Sequence, residues 1–114
     1  MHEYSLVEAL LRRVEEEARQ RSAIAIHGLK VSVGELSGVE PELFRTAYET
    51  FREGTMCEKT PLEIVRWPAD WACPSCGRTF AAGDVLRCEP CGRPARLSEK
   101  SQALLLESID MEVP

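Results

Sequence analysis

Four cysteines in the second half of the chain have the spacing of a metal site. They form two pairs, Cys73-x-x-Cys76 and Cys88-x-x-Cys91, separated by eleven residues. Two such pairs at this separation are typical of a zinc site with four thiolate ligands in a tetrahedron. Because four thiolates leave no position for water, we predict that these cysteines bind Zn(II) for structure rather than for hydrolysis.

Each cysteine pair is followed directly by a glycine, Gly77 or Gly92. A positive φ at these positions would let the chain turn back, so that its amides reach the sulfurs. Two disulfides are the alternative interpretation of the same four cysteines. That alternative is disfavoured because the rest of the chain has the features of a protein from a reducing compartment.

The first residues form a second candidate metal site. The amine of Met1 and the amide nitrogen and imidazole of His2 can close adjacent chelate rings, and Glu3 adds a carboxylate. Tetragonal nitrogen and oxygen coordination favours Ni(II) or Cu(II). Such a site faces solvent with a coordination position free, so it could pass its ion to an acceptor.

Two further residues with reactive side chains receive structural interpretations. His27 is the other histidine, and we interpret it as an ordinary surface or edge residue of a strand rather than a ligand. Cys57 stands outside the pairs, and we expect a small buried hydrophobic residue rather than a reactive thiol.

Length and charge limit the function classes. The 114 residues carry a net charge of −5 and suggest one compact domain with a small insert. Residues 71–100 hold five basic and three acidic side chains, which leaves −7 for the rest. This balance disfavours nucleic acid as a partner. No apolar run approaches the ~20 residues of a membrane span and no signal peptide is recognisable, so we expect a cytoplasmic protein without a membrane partner.

A first helix is predicted from the capping box Ser5-x-x-Glu8. Apolar residues then recur at spacings of three and four and predict one buried face: Leu6, Val7, Leu10, Leu11, Val14 and Ala18. If Ser5 caps this helix, residues 1–4 precede it, and their amides are not committed to helical hydrogen bonds.

Three strands and a second helix account for most of the remaining chain. Residues 23–35 alternate as a strand whose faces exchange near Gly28, as at a bulge, and residues 62–67 and 103–113 form two more strands. Pro41 suits the first turn of the second helix and Gly54 its end. The predicted apolar stripe of that helix is Leu43, Phe44, Ala47, Tyr48 and Phe51.

This order of elements predicts an α+β fold. We expect two helices packed on one face of a small three-stranded sheet, with a four-cysteine zinc-ribbon-like module inserted between the second and third strands. Residues 1–70 plus 101–114 would form the α+β domain that carries the N-terminal nickel-binding site. Residues 71–100 would form the inserted zinc-binding module.

Several segments together resemble the HypA/HybF family of NiFe-hydrogenase maturation factors, and the resemblance covers essentially the whole chain. The combination of an N-terminal Met-His-Glu with the paired cysteines makes it specific. The segments that carry it are Met-His-Glu-Tyr-Ser-Leu at the start, Val33-Gly34-Glu35-Leu36-Ser37, Tyr48-Glu49-Thr50-Phe51, Glu53-Gly54-Thr55 and the cysteine cluster.

The resemblance implies a nickel metallochaperone, not an enzyme. Such proteins bind Ni(II) at the N-terminal Met-His-Glu, hold zinc in the inserted module, and work with the GTPase HypB to load nickel into the hydrogenase large subunit; some also serve urease. Carried onto this chain, the nickel ligands are Met1, His2 and the Glu3 region. Glu40 falls where some relatives place an acidic residue near the nickel, although a carboxylate before Pro41 also suits a helix N-terminus for electrostatic reasons alone. The sequence leaves three states open: a monomer, a homodimer, or an assembly swapped through hinges near Pro68 and Lys100.

Some relatives carry histidines beside the zinc cysteines, where they are linked to pH sensing. The corresponding neighbours in this chain are Pro74, Ser75, Gly77, Glu89, Pro90 and Gly92. This departure argues against a histidine-based pH switch at the zinc site.

The principal hypothesis is therefore a carrier that takes Ni(II) at its N-terminus. The alternative is a zinc-ribbon adaptor that binds protein, or less favourably nucleic acid, without moving nickel. An enzyme is disfavoured because the sequence has no Ser/His/Asp set, no phosphate-binding loop and no open metal triad.

Overall fold

A computed structural model describes residues 2–80 and 83–114, with the backbone but not the side chain of His2. The helices and strands in chain order are α1 His2–Gln20, β1 Ala25–Gly34, α2 Pro41–Phe51, β2 Leu62–Trp67, β3 Trp71–Ala72, β4 Thr79–Phe80, β5 Arg87–Cys88, β6 Arg93–Pro94, β7 Arg96–Leu97, α3 Glu99–Gln102 and β8 Leu104–Glu112. No helix in these ranges is long and apolar enough to cross a membrane.

The main sheet has the order β2-β1-β8, so the first strand lies in the centre. β1 and β2 are parallel, with Leu29 opposite Leu62, and α2 makes the connection between them. β1 and β8 are antiparallel, with Leu29 opposite Ile109. The α+β class and the three predicted strands are confirmed, and the central position of β1 is new.

The predicted exchange of faces in β1 is confirmed as a bulge. The register with β8 shifts between Ile26 and Gly28, which lie opposite the adjacent residues Met111 and Asp110. The extra residue lets Ile26 and Leu29 both point into the core although their parities differ.

The core lies between the two helices and the sheet, and it buries the predicted stripe of α1 except for Leu6, which is partly buried against it. Its buried members are Val7, Leu10, Leu11, Val14, Ala18, Ile26, Leu29, Val31, Val33, Phe44, Ala47, Tyr48, Cys57 and Leu62. Cys57 is fully buried, which confirms its structural interpretation. Burial also raises the pKa of its thiol, so it stays protonated and unreactive.

The predicted start of α1 at Ser5 is wrong, because the helix already begins at His2 and Ser5 lies exposed within it. Tertiary contacts explain the extra residues. The ring of Tyr4 packs edge-on against Phe51 with 5.1 Å between centroids, and Glu3 is buried against the start of α2. Such packing stabilises a helical turn that a local capping signal does not include.

The ends of two other apolar patterns are also less buried than predicted. Leu43 is 51% exposed and Phe51 39% exposed, so α2 buries a narrower stripe of Phe44, Ala47 and Tyr48. Val113 is 51% exposed because β8 ends one residue earlier, at Glu112. An apolar pattern in the sequence can therefore continue beyond the part of a helix or strand that is packed against a neighbouring element.

The inserted segment forms two small sheets of its own. β3 lies between β4 and β7, while β5 and β6 form a hairpin. Cys73, Phe80 and Cys88 are buried together there, separate from the main core. This cluster is small for a core, which is consistent with a module that depends on a metal for folding.

Candidate metal centres

The four predicted zinc ligands converge on one point. The sulfur atoms of Cys73, Cys76, Cys88 and Cys91 all lie within 4.8 Å of one another. A tetrahedral Zn(II) with Zn–S bonds of about 2.3 Å separates its sulfurs by about 3.8 Å, and the Sγ atoms of Cys76 and Cys88 are 3.7 Å apart. The arrangement fits one four-coordinate zinc and not two separate disulfides.

Each cysteine pair forms a tight turn closed by its glycine. Gly77 and Gly92 have φ angles of 79° and 65°, which confirms the predicted positive φ. Their amides donate to the carbonyls of Cys73 and Cys88 rather than to sulfur, at 2.9 and 2.8 Å. The sulfur of Cys73 instead accepts from the amide of Ser75 at 3.4 Å. Such bonds orient the thiolates before the metal arrives.

Backbone amides and neighbouring thiols spread the thiol pKa values of the cluster. The backbone amide of Cys76 is the main cause that lowers the pKa of Cys73 to about 6. Hydrogen bonds to the neighbouring sulfurs, first that of Cys76, raise the pKa of Cys91 to about 12. One thiol therefore ionises readily while another retains its proton, and full deprotonation requires a cation at the centre.

The structure describes only some of the candidate nickel ligands at the N-terminus. Met1 and the side chain of His2 lie outside the described residues. Glu3 is 8% exposed, and its carboxylate accepts from the backbone amide of Glu40 at 3.3 Å. The structure thus brings Glu3 and Glu40, two of the residues carried over from the family resemblance, into direct contact.

Glu40 also caps the second helix. Its backbone is extended and its Oε1 accepts from the amide of Glu42 at 3.5 Å, directly before Pro41 in the first turn. A carboxylate at a helix N-terminus is favoured by the helix dipole. Because a contact of 3.5 Å is at the limit of hydrogen bonding, little is lost if this carboxylate turns to another partner.

His27 lies at the β1 bulge and is solvent-exposed, as predicted for a surface residue. Its Nε2 lies 2.9 Å from Oε1 of Glu112 on β8. Among the side chains that the structure describes, the four cysteines are the one group of three or more potential ligands that converges. The strand that carries His27 is central rather than an edge strand.

Sequence analysis named Glu35 and Lys100 but missed the contacts that they make at the entry and exit of the inserted segment. Glu35 accepts from the amide of Ala69 at 2.6 Å, at the entry to the inserted segment. Lys100 lies over the ring of Trp67 at 4.7 Å from its centroid. These contacts connect residues that are distant in sequence, so no local sequence pattern predicts them.

Comparison with known proteins gives a consistent result over the whole length. A family model described as "Hydrogenase/urease nickel incorporation, metallochaperone, hypA" matches residues 1–111. The chain is 36% identical over 114 residues to the hydrogenase maturation factor HypA of Aquifex aeolicus, with 99% of each chain covered. It is 37% identical to the factor of the same name from Wolinella succinogenes, covering 98% of this chain and 96% of the relative.

Solved structures show the same relationship at the level of the fold. The solution structure of the Ni metallochaperone HypA from Helicobacter pylori matches with a TM-score of 0.72 at 32% identity, covering 98% of both chains. A second solution structure of a HypA protein matches with a TM-score of 0.76 at 34% identity, covering 97% of this chain and 96% of the other.

Proposed function

Because this chain belongs to the HypA family of hydrogenase/urease nickel incorporation metallochaperones, we propose that it binds Ni(II) at its N-terminus and delivers the ion to the NiFe-hydrogenase large subunit. The observation that carries this proposal is the family match over residues 1–111, which includes the Met-His-Glu start. Nickel is the cargo, and Zn(II) at the four cysteines holds the structure.

The proposed nickel ligands are the Met1 amine and the amide and imidazole nitrogens of His2. The start of α1 at His2 supports this role for the amide. The first N–H groups of a helix have no acceptor within the helix, so an amide here can lose its proton to nickel without breaking a helical bond. Tetragonal nitrogen coordination of this kind suits Ni(II).

The Glu3–Glu40 contact supports a role for both carboxylates in this site. The carboxylate of Glu3 accepts a hydrogen bond from the backbone amide of Glu40. This bond holds Glu40 close to the first turn of α1. The weak capping bond of Glu40 leaves that carboxylate able to reach a cation. We propose Glu40 as an additional ligand and Glu3 as a ligand or as the residue that positions Glu40.

Delivery requires a site that selects its ion and still releases it. The proposed nickel ligands lie at a chain end and leave a coordination position for an acceptor ligand, whereas the four-thiolate site is closed. Transfer by ligand exchange would take place within a complex that includes a HypB-like GTPase and the hydrogenase large subunit. A homodimer is a further proposed assembly.

A nickel titration of zinc-loaded protein with its native N-terminus tests this function, with His2→Ala as the test variant and His27→Ala as the matched control. We expect native protein and His27→Ala to bind one Ni(II) per chain with zinc retained. The affinity of His2→Ala should fall by more than about a hundredfold, because even outer-shell partners of a metal ligand contribute about 10–100-fold.

Two outcomes would contradict the nickel carrier. Equal binding by native protein and His2→Ala would remove nickel from the N-terminus. Absence of nickel binding by either protein would favour the zinc-ribbon adaptor. A short N-terminal extension separates the two functions further, since it should abolish nickel delivery by a carrier and leave an adaptor unaffected.

A further inference from the structure

The loop from Gly34 to Glu40 joins the end of β1 to the start of α2, and we call it the bridge. One end contacts both connections to the four-cysteine module: the entry linker, residues 68–70, and the exit linker, residues 98–103. The other end contacts the first turn of α1. The bridge is thus a short stretch of chain that is hydrogen-bonded to the module linkers at one end and to the first turn of α1 at the other.

Glu35 attaches the bridge to the entry side of the module. Its backbone amide donates to the carbonyl of Trp67 at 2.8 Å. Its carboxylate accepts from the amide of Ala69 at 2.6 Å. A bond to an ionised acceptor is stronger than a neutral one, so this contact restrains the linker just before β3 begins.

Gly34 and Leu36 attach the bridge to the exit side. The amide of Gly34 donates to the carbonyl of Ala103 at 2.9 Å, and that of Leu36 to the carbonyl of Ser101 at 2.8 Å. The approach is close, because a Cβ at Gly34 would lie 2.4 Å from the backbone of Lys100 and Ser101.

The two linkers are also bound to each other. The amide of Ser98 donates to the carbonyl of Asp70 at 3.0 Å, and their side chains form a second hydrogen bond. A restraint on the entry linker is therefore transmitted to the exit linker.

The contact between Glu35 and Ala69 lies at an open part of the surface. Glu35 is exposed, and it lines a cleft of about 410 Å³ together with Trp67 and Pro68. If the hydrogen bond between the Glu35 carboxylate and the Ala69 amide is lost, apolar packing at this exposed position does not compensate for it. Loss of the carboxylate should therefore loosen the entry linker without a cost to the core.

We propose that Glu35 is a positioning residue for nickel delivery: its carboxylate fixes the orientation of the four-cysteine module relative to the N-terminal region. The inference rests on the proposed nickel transfer. The other end of the bridge holds the N-terminal region through the bond from the Glu40 amide to Glu3. A partner that contacts both regions then meets them at a fixed spacing, which lowers the ordering cost of forming the transfer complex.

The test compares zinc-loaded native protein with Glu35→Ala, with Glu35→Gln, which keeps an acceptor oxygen, and with Glu58→Ala as a control for loss of an exposed carboxylate. Amide exchange at Ala69 should accelerate about tenfold in Glu35→Ala because one charge-assisted bond is lost. Residual dipolar couplings of the module should decrease relative to those of the main sheet. Glu58→Ala should behave as native protein, and Glu35→Gln, which offers only a neutral acceptor, should fall between native protein and Glu35→Ala.

The functional measurement is nickel transfer from the loaded protein to a nickel-free hydrogenase large subunit with a HypB-like GTPase. At unchanged Ni(II) affinity and zinc content, transfer by Glu35→Ala should slow by at least about tenfold, since small errors in positioning are costly. Unchanged couplings and Ala69 exchange in Glu35→Ala would overturn the proposal, as would a loosened module that transfers nickel at the native rate. Failure of the proposed nickel function would give a different result, because native protein would then not bind nickel at its N-terminus.

Discussion

The four-cysteine cluster and the N-terminal region hold potential metal ligands in opposite ways. Cys73 and Cys88 are buried, and the tight turns around them fix all four sulfurs within 4.8 Å of one another. At the N-terminus the described carboxylates, Glu3 and Glu40, already have structural contacts at the starts of two helices. A preorganised and closed set of four thiolates suits retention of an ion. Carboxylates that can return to hydrogen bonds with the backbone suit release of an ion.

Removal of zinc should produce the largest difference between the two regions. Structural zinc contributes about 10–16 kcal/mol in small metal-dependent domains, whereas the main core, which contains Phe44 and Tyr48, is built without the cysteine pairs. We expect a chelator to disorder residues 71–100 and to leave the α+β part folded. Amide NMR spectra before and after chelation measure this, with zinc readdition as the control. Simultaneous loss of both sets of signals would refute the independence of the two regions.

Acidification should produce the next largest difference between the two regions, because it weakens zinc binding at the four-cysteine cluster. Burial and then the neighbouring thiols raise the pKa of Cys88, and hydrogen bonds to the neighbouring thiols, first that of Cys76, raise the pKa of Cys91 to about 12. Both therefore hold protons at neutral pH that zinc must displace. Each displaced proton lowers the zinc affinity about tenfold per pH unit as the pH falls. We therefore expect the affinity to fall at least about a hundredfold per unit below neutrality.

Competition with a zinc indicator across this pH range measures the slope. Cys57→Ala is the matched control, because Cys57 lies in the main core and outside the cluster. A dependence of tenfold or less per pH unit would indicate that the thiols are already ionised without metal.

The smallest expected effect concerns the junction between the regions. Gly34→Ala should lower the free energy of unfolding by at least about 2 kcal/mol, because its Cβ would overlap the Lys100–Ser101 backbone at 2.4 Å. Gly28→Ala in the same strand is the control: its Cβ would meet Asp110 at an ordinary 3.7 Å, and the change should be below about 1 kcal/mol. Denaturant unfolding of both variants provides the comparison, and equal losses would show that the close approach does not matter.

Local patterns in the sequence predicted most of the secondary structure and the cysteine cluster. The limits of β2 were predicted at Leu62 and Trp67, and the bulge in β1 was predicted from the change of parity around Gly28. The convergence of the four cysteines could be predicted because their spacing along the chain already encodes two facing turns.

The remaining features depend on contacts that a local pattern does not contain. The start of α1 follows from packing of Tyr4 on Phe51, and the contact of Glu3 with Glu40 joins two helix starts. Glu35 appeared in the sequence as part of a family motif, but its bond to Ala69 emerges from the fold. For the nickel site, the ligand assignment stays a prediction for Met1, His2, Glu3 and Glu40.

The central place of β1 also sets an order of events during biosynthesis. β1 pairs along one side with β8, whose residues 104–112 leave the ribosome after the whole four-cysteine segment. The N-terminal part of the chain must therefore wait with one side of its central strand open, against the usual tendency of early segments to fold first. The four cysteines emerge earlier and can capture zinc during this interval. The structural metal would then be in place before the sheet that carries the rest of the protein is complete.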